Sequence, residues 1–330
     1  MSISSTSNIN TEELKAKLIE EFKTKLTEKM KAKILELSEP ELRFDAITYL
    51  VKYRDEDPEQ LASLILGSDE ALPVLLAELI STFRFIEPPT ITLDRGMKAC
   101  QALSLLQTVT STKEGIALFA RCDCMTFVLP FMYSIERGGP LEHLRTAALG
   151  VVGSMLRYDT LNELVVKYLV TTPVIPLCLH MMTQNGPVIM TLTVFIVQKI
   201  LLTRIGLEHC CMLPERIAHM VNSLNMVIQF VAVEPNPRLL RTALRCYGCL
   251  SHSHHALPVL KHLLPHTLKD GTFDELIEAN KAIEDEWRHL IGVTGIHDML
   301  ILNGHFNREL TCEEMLSREM ALAVLQLGGM

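Results

Sequence analysis

Cys246-x-x-Cys249, followed by His252, His254 and His255, is the one constellation in this chain whose residue types and spacing could hold a metal. Zinc takes four nitrogen or sulfur ligands in a tetrahedron. On a helix the two cysteines could face one way, with the histidines supplied by the loop beyond. Against this, they lie in CYGCL, inside a helical pattern that recurs along the chain. The equivalent positions elsewhere are Val151, Ser154, Val197 and Ile200. Those are expected core positions, so the thiols read as small apolar residues, and no metal or cofactor is expected. Cys210-Cys211 and Cys122-x-Cys124 carry a weaker signal. No P-loop, GxGxxG, HExxH or GxSxG occurs. Asp55-Glu56-Asp57 falls in an expected loop without an organised partner. The chain is therefore read as a non-enzyme.

The pattern that holds the cysteines organises the whole chain. ALSLLQTV starts at Ala102, ALGVVGSML at Ala148, VFIVQKILL at Val194 and ALRCYGCL at Ala243, with offsets of 46, 46 and 49 residues. Within the second block, Ala148, Val151, Val152 and Met155 keep the i, i+3, i+4, i+7 spacing of one buried helix face. The small residues Ala147, Gly150, Gly153 and Ser154 lie among them, which lets neighbouring helices approach closely. A second apolar run follows the first two blocks, FVLPFMY from Phe127 and VIPLCLHMM from Val174. A period of roughly 40–47 residues with two or three helices per unit is the armadillo/HEAT signature. Such units cannot bury their apolar faces alone and stack into a superhelix with a groove. The expected fold is all-α, an armadillo-repeat α-solenoid.

Composition agrees. Of 330 residues 48% are hydrophobic and only 5% aromatic, with one Trp, which suits packed aliphatic helices. The N-terminus is polar and lacks the apolar core of a secretory signal. The uncharged stretch from Tyr168 to Gln198 is interrupted by Pro173, Pro176, Pro187 and Asn185-Gly186, so it reads as two buried helices rather than a membrane span. Nine irregularly spaced cysteines, such as Cys100 and Cys178, sit mostly inside apolar runs. They imply reduced thiols and a cytoplasmic or nuclear setting. Residues 190–262 hold seven Lys/Arg against three acids, and residues 263–330 five against twelve. A basic block in an acidic protein could attract nucleic acid through Arg238, Arg241 and Arg245. It has one Tyr and no Trp on which bases could stack, and a solvated helix face explains it equally well.

In order, residues 1–10 are expected to be disordered. A charged amphipathic helix follows from Thr11 to Leu37, with Leu14, Leu18, Phe22, Leu26, Met30 and Ile34 at four-residue steps. It reads as a cap on the first repeat, the alternative being a docking helix for a partner. Ser38-Glu39-Pro40-Glu41 reads as a helix start. Breaks are expected at Ile86–Thr90, at Asp123-Cys124 and at Gly138-Gly139-Pro140. The third repeat carries an extra segment around His209 to Met220, and the fourth ends near Gly271-Thr272. An acidic helix is expected from Phe273 to Ile291, and a terminal helix from Thr311 to Leu327 with a capping box at its start. The expected division is an N-terminal tail and helix over 1–37, an armadillo-repeat domain over 38–291 and a C-terminal extension over 292–330.

QALSLLQTV, LRTAALGVVGSML, LVTTPVIPLCLHMM, TVFIVQKILL, PRLLRTALRCY and LKDGTF, in that order from about Leu37 to Thr272, resemble successive blocks of the Rcd-type "required for cell differentiation" family, also called Caf-forty. That family is the armadillo-repeat subunit of the CCR–NOT deadenylase complex. The resemblance implies a scaffold that docks on the large NOT subunit. It would recruit RNA-binding or silencing proteins through short linear motifs, for deadenylation, mRNA decay and translational repression. A homodimer and weak nucleic-acid binding stay open, and no membrane partner is implied. A deadenylase proper would need several carboxylates converging on Mg²⁺, and nothing supplies them. A family pocket for tryptophan side chains corresponds to Pro214-Glu215-Arg216-Ile217. Its Glu215 and Arg216 persist while both aromatics are lost, and a second pocket arginine aligns with His255. A family groove for a helical peptide places its glycine at Gly150 and its tyrosine at His143. Gly150 could equally serve helix–helix packing. A nuclear-import adaptor, which grips basic peptides with a Trp/Asn ladder, fits poorly with a single Trp, Trp287.

Overall fold

Ala102, Ala148, Val194 and Ala243, the four positions that the repeat aligns, are all fully buried. Each sits in a helix of 15 or 17 residues. The computed structural model describes residues 5–134, 138–184 and 186–295. Among them it holds seventeen α-helices and no strand. No single described helix is long and apolar enough to cross a bilayer. The chain divides into two units, one ending at Tyr168 and one starting at Leu169.

The first unit contains α1 (Ser5–Glu36), α2 (Arg43–Tyr53), α3 (Pro58–Leu66), α4 (Ala71–Thr82), α5 (Leu93–Val109), α6 (Lys113–Arg121), the single turn α7 (Pro130–Tyr133), α8 (Gly139–Met155) and α9 (Asn162–Leu169). Helices α2, α3 and α4 pack on α5, and α5 packs on α8. Leu103, Leu106 and Val109 on α5 and Val151, Val152 and Met155 on α8 are fully buried. Each such side chain contributes about 1.5–3 kcal/mol of burial. Thr110 and Ser154 join hydroxyls at 2.6 Å at the end of this seam. Gly138 takes φ +75° just before α8, a conformation that L side chains avoid and that lets the chain turn into the helix.

The second unit contains α10 (Val174–Gln184), α11 (Pro187–Leu201), α12 (Arg204–Cys210), α13 (Pro214–Val233), α14 (Pro237–Ser251), α15 (Ala256–Leu263), α16 (Asp274–Ala279) and α17 (Lys281–Thr294). Proline opens α11, α13 and α14, where the missing N–H costs nothing. Helix α11 packs on α14, and α14 on α17. The fully buried Tyr247 donates its hydroxyl to Asn225 Oδ1 at 2.7 Å. Trp287 donates its indole N–H to the Leu268 carbonyl at 3.0 Å. The expected extra segment around His209 to Met220 is the end of α12 and the start of α13, at 20 residues the longest described helix of this unit.

Several expected boundaries differ. Helix α1 begins at Ser5 rather than Thr11, because nothing between them breaks a helix. Its stripe divides: Leu26, Met30 and Ile34 are buried, whereas Leu14, Leu18 and Phe22 are exposed. Only its second half caps the repeats, against α2 and α3. Residues 38–42 form turns, and the helix expected at Ser38 starts at Arg43. The Ser38 hydroxyl bonds the Glu70 carboxylate instead of capping a helix. The acidic helix is two helices, α16 and α17, because Asn280 leaves helical geometry and caps the Ala282 N–H at 3.0 Å. The run from Phe127 supplies part of a 3-10 turn and α7 rather than a full helix. The expected helix from Thr311 to Leu327 lies outside the described residues.

Candidate partner-binding surfaces

The spacing of His143 and Gly150, seven residues apart on α8, puts them on one helix face. His143 is exposed and Gly150 half-buried. The space over Gly150 is not empty. A Cβ there would lie 3.0 Å from Oε1 and 3.3 Å from Cδ of Gln107, on α5. The glycine therefore lets a polar side chain of the neighbouring repeat lie against the α8 backbone. Gln107 is the neighbour of Gly150 that sequence reading missed. Its signal was a half-buried amide within the otherwise apolar QALSLLQTV.

Glu215 and Arg216 lie exposed in the first turn of α13, where an acid suits the positive helix end. Arg216 Nη1 contacts both Nε2 and the carbonyl oxygen of His209, each at 3.2 Å. His209 lies in the last turn of the short helix α12, so the end of α12 holds the guanidinium in place. Burial first, and the Arg216 charge second, keep His209 below the usual imidazole range. His255 is exposed at the N-terminus of α15. The Ser253 side chain hydrogen-bonds Cys211, so the loop that carries His255 is tied to the turn that precedes Arg216. The structure thus brings the end of α12 with His209, the first turn of α13 with Glu215 and Arg216, and the loop with His255 near one another within one unit. The rings of His254 and His255 lie tilted against each other with centroids 3.9 Å apart.

Arg238, Arg241 and Arg245 follow one face of α14. The first two are exposed. Arg245 is half-buried and ion-paired with Glu286 of α17 at 3.2 Å, so its charge is already met by the acidic segment. The Cys/His constellation is split. Cys246 is fully buried with its thiol 3.9 Å from the Val194 carbonyl, and burial raises its pKa well above the ordinary thiol value. Cys249 is only half-buried, as is Ser154 at the equivalent position. That corrects the expectation that all these positions are core. His252 is exposed and stacks on His289 at 5.8 Å between centroids. Among the described residues no group of three or more His, Cys, Asp or Glu is placed to hold a metal ion.

Fold and surfaces together define an all-α armadillo-type repeat protein that presents side chains from successive helices. The chain belongs to the cell differentiation family, Rcd1-like, whose model matches residues 33–293. Cell differentiation protein rcd1 of Schizosaccharomyces pombe is 33% identical over 244 residues, which cover 74% of this chain and 85% of that protein. Protein CAF40 of Saccharomyces cerevisiae is 34% identical over 223 residues, which cover 67% of this chain and 59% of CAF40. An engineered protein whose crystal structure came from a structural genomics consortium matches with a TM-score of 0.57 at 10% identity, over 81% of this chain and 96% of that one. That likeness concerns the fold alone.

Proposed function

We propose that this chain is a non-catalytic adaptor subunit of a CCR–NOT complex. It would dock on the NOT-family large scaffold and recruit mRNA-regulatory proteins for deadenylation, mRNA decay and translational repression. The observation that carries the reading is the extent of the family match. It runs from residue 33 to residue 293 and takes in α2 to α16 and all but the last residue of α17. Short linear motifs are the expected ligands of the His143/Gly150 face and of the Glu215/Arg216/His255 loops. The site of action would be the cytoplasm and the nucleus. Affinity purification of the full chain with mass spectrometry tests this. Recovery of a NOT scaffold is expected, and its absence under conditions that keep the chain folded would sink the proposal.

A second reading, nucleic-acid binding along α14, draws on the exposure of Arg238 and Arg241 in one row. Filter binding to RNA at several salt concentrations separates the two, because phosphate contacts weaken steeply with salt. With Arg245 held by Glu286, the adaptor reading expects little or no retention.

A further inference from the structure

Met212 and Leu213 stand between α12 and α13 with 64% and 45% of their surface open to solvent. Pro214 and Arg216 follow them, also exposed. Three apolar residues in a row at the surface, beside a cation, mark a place that a partner gains by covering. Arg216 is held there without being neutralised. Its Nη1 donates to Nε2 and to the carbonyl oxygen of His209, each at 3.2 Å. Glu208, one residue before His209, pairs with Arg204 at 3.1 Å. Glu215 adjoins Arg216 on α13, and adjacent residues of a helix do not face each other. Among the described residues no carboxylate is ion-paired with Arg216. The His209 contacts use Nη1 alone, which leaves Nε and Nη2, one edge of the guanidinium fork, for a bidentate acceptor.

We propose that this corner receives a partner's peptide segment in which an Asp or Glu stands beside an aliphatic residue. The carboxylate takes the Nε and Nη2 donors of Arg216, and the aliphatic side chain covers Met212 and Leu213. His209 is the positioning residue. By holding Nη1 it orders the guanidinium before the ligand arrives, so less freedom is lost on binding. The same corner disfavours two other ligands. An indole needs a flat wall, which neither Pro214 nor the buried Ile217 supplies. A phosphoryl group carries close to two charges, and the exposed Glu215 beside the site opposes the second. The proposal deepens the adaptor reading by naming the ligand class of one of its surfaces, and for the existence of a recruited partner it rests on that reading.

The test is fluorescence anisotropy with the full chain and a labelled synthetic peptide of alternating leucine and aspartate, flanked by glycines. Saturable binding below about 1 mM is expected. The same peptide with asparagine for aspartate should bind at least about tenfold more weakly, and Arg216→Gln should weaken the aspartate peptide as much, because a charged hydrogen bond is lost. His209→Ala should weaken binding about two- to tenfold, the worth of one neutral hydrogen bond. His209→Gln, whose amide oxygen can accept from Arg216, should restore most of it. Met212→Ser with Leu213→Ser should also weaken it. Circular dichroism checks that each variant stays folded. No binding, equal binding of the asparagine peptide, or binding that Arg216→Gln leaves intact overturns the proposal. So does tighter binding of a tryptophan–glycine peptide or of a phosphoserine version, and an unchanged affinity in His209→Ala refutes the positioning role. Affinity purification separates this from the adaptor reading. If the natural chain recovers a NOT scaffold and does not bind the peptide, the ligand assignment falls and the adaptor reading stands. If it binds the peptide and recovers no scaffold, the adaptor reading falls and the site stands.

Discussion

His209 and Gly150 show how much a single contact can hold. The imidazole accepts from Arg216 only while neutral, and both burial and the guanidinium disfavour its protonation. A histidine held below its unfolded value adds stability above about pH 6.5, and that stability drains away as pH falls through the folded pKa. The melting temperature should therefore drop more between pH 7 and pH 5 in the natural chain than in His209→Gln, which cannot titrate. Equal slopes for the two proteins would refute the pairing. At Gly150 the nearest obstacle is the far end of Gln107, which can rotate away. Gly150→Trp should melt close to the natural chain yet lose at least one partner in a pull-down. A fall of more than about 1–3 kcal/mol, the usual cost of overpacking, would show that the site is sealed packing instead of a ligand face.

At the scale of elements, one device appears in both units. Thr112 caps α6 and accepts the Gly115 N–H at 3.2 Å, and Thr203 caps α12 and accepts the Gly206 N–H at 3.0 Å. In both places a side-chain carbon on the glycine would collide with a backbone carbonyl of the preceding repeat helix, Val109 or Ile200. The glycine thus sets how sharply the short helix folds back against the long one. Backbone cannot move aside as Gln107 can. Gly115→Ala and Gly206→Ala should each destabilise by at least about 1–3 kcal/mol, measured by urea unfolding. A neutral result at either would mean that the turn relaxes freely. Gly153→Ala, which meets nothing within 4 Å, serves as the matched control and should be neutral or mildly stabilising.

For the whole molecule, the adaptor reading predicts binding without turnover. Purified protein should not shorten poly(A) in the presence of Mg²⁺. Activity that persists through every separation from co-purifying nucleases would overturn that. Chelator should leave the melting temperature unchanged and elemental analysis should find less than about one zinc per chain, since Cys246 is buried and the histidines point to other partners. Burial pushes Cys178 and Cys210 up to about 12, so both thiols stay protonated at neutral pH and should resist alkylation. Among the described cysteines the exposed Cys122 should label first, as mass spectrometry of a brief iodoacetamide pulse would show.

The sequence by itself determined the class of element, the repeat period and the inward face of α8. Those follow from spacing along one helix: Ala148, Val151, Val152 and Met155 can share a face only if that face is buried, whatever lies opposite. The blocks from QALSLLQTV to LKDGTF likewise carried the family. Tertiary structure alone decided what meets what. Periodicity names a face but not the residue across from it, so the cover of Gly150 by Gln107, the ion pair of Arg245 with Glu286 and the hold of His209 on Arg216 were not legible. The same reason explains the N-terminal stripe. Its four-residue steps continue from Leu14 to Ile34, yet the repeats reach only its second half. Burial begins at Leu26 although the pattern does not change there.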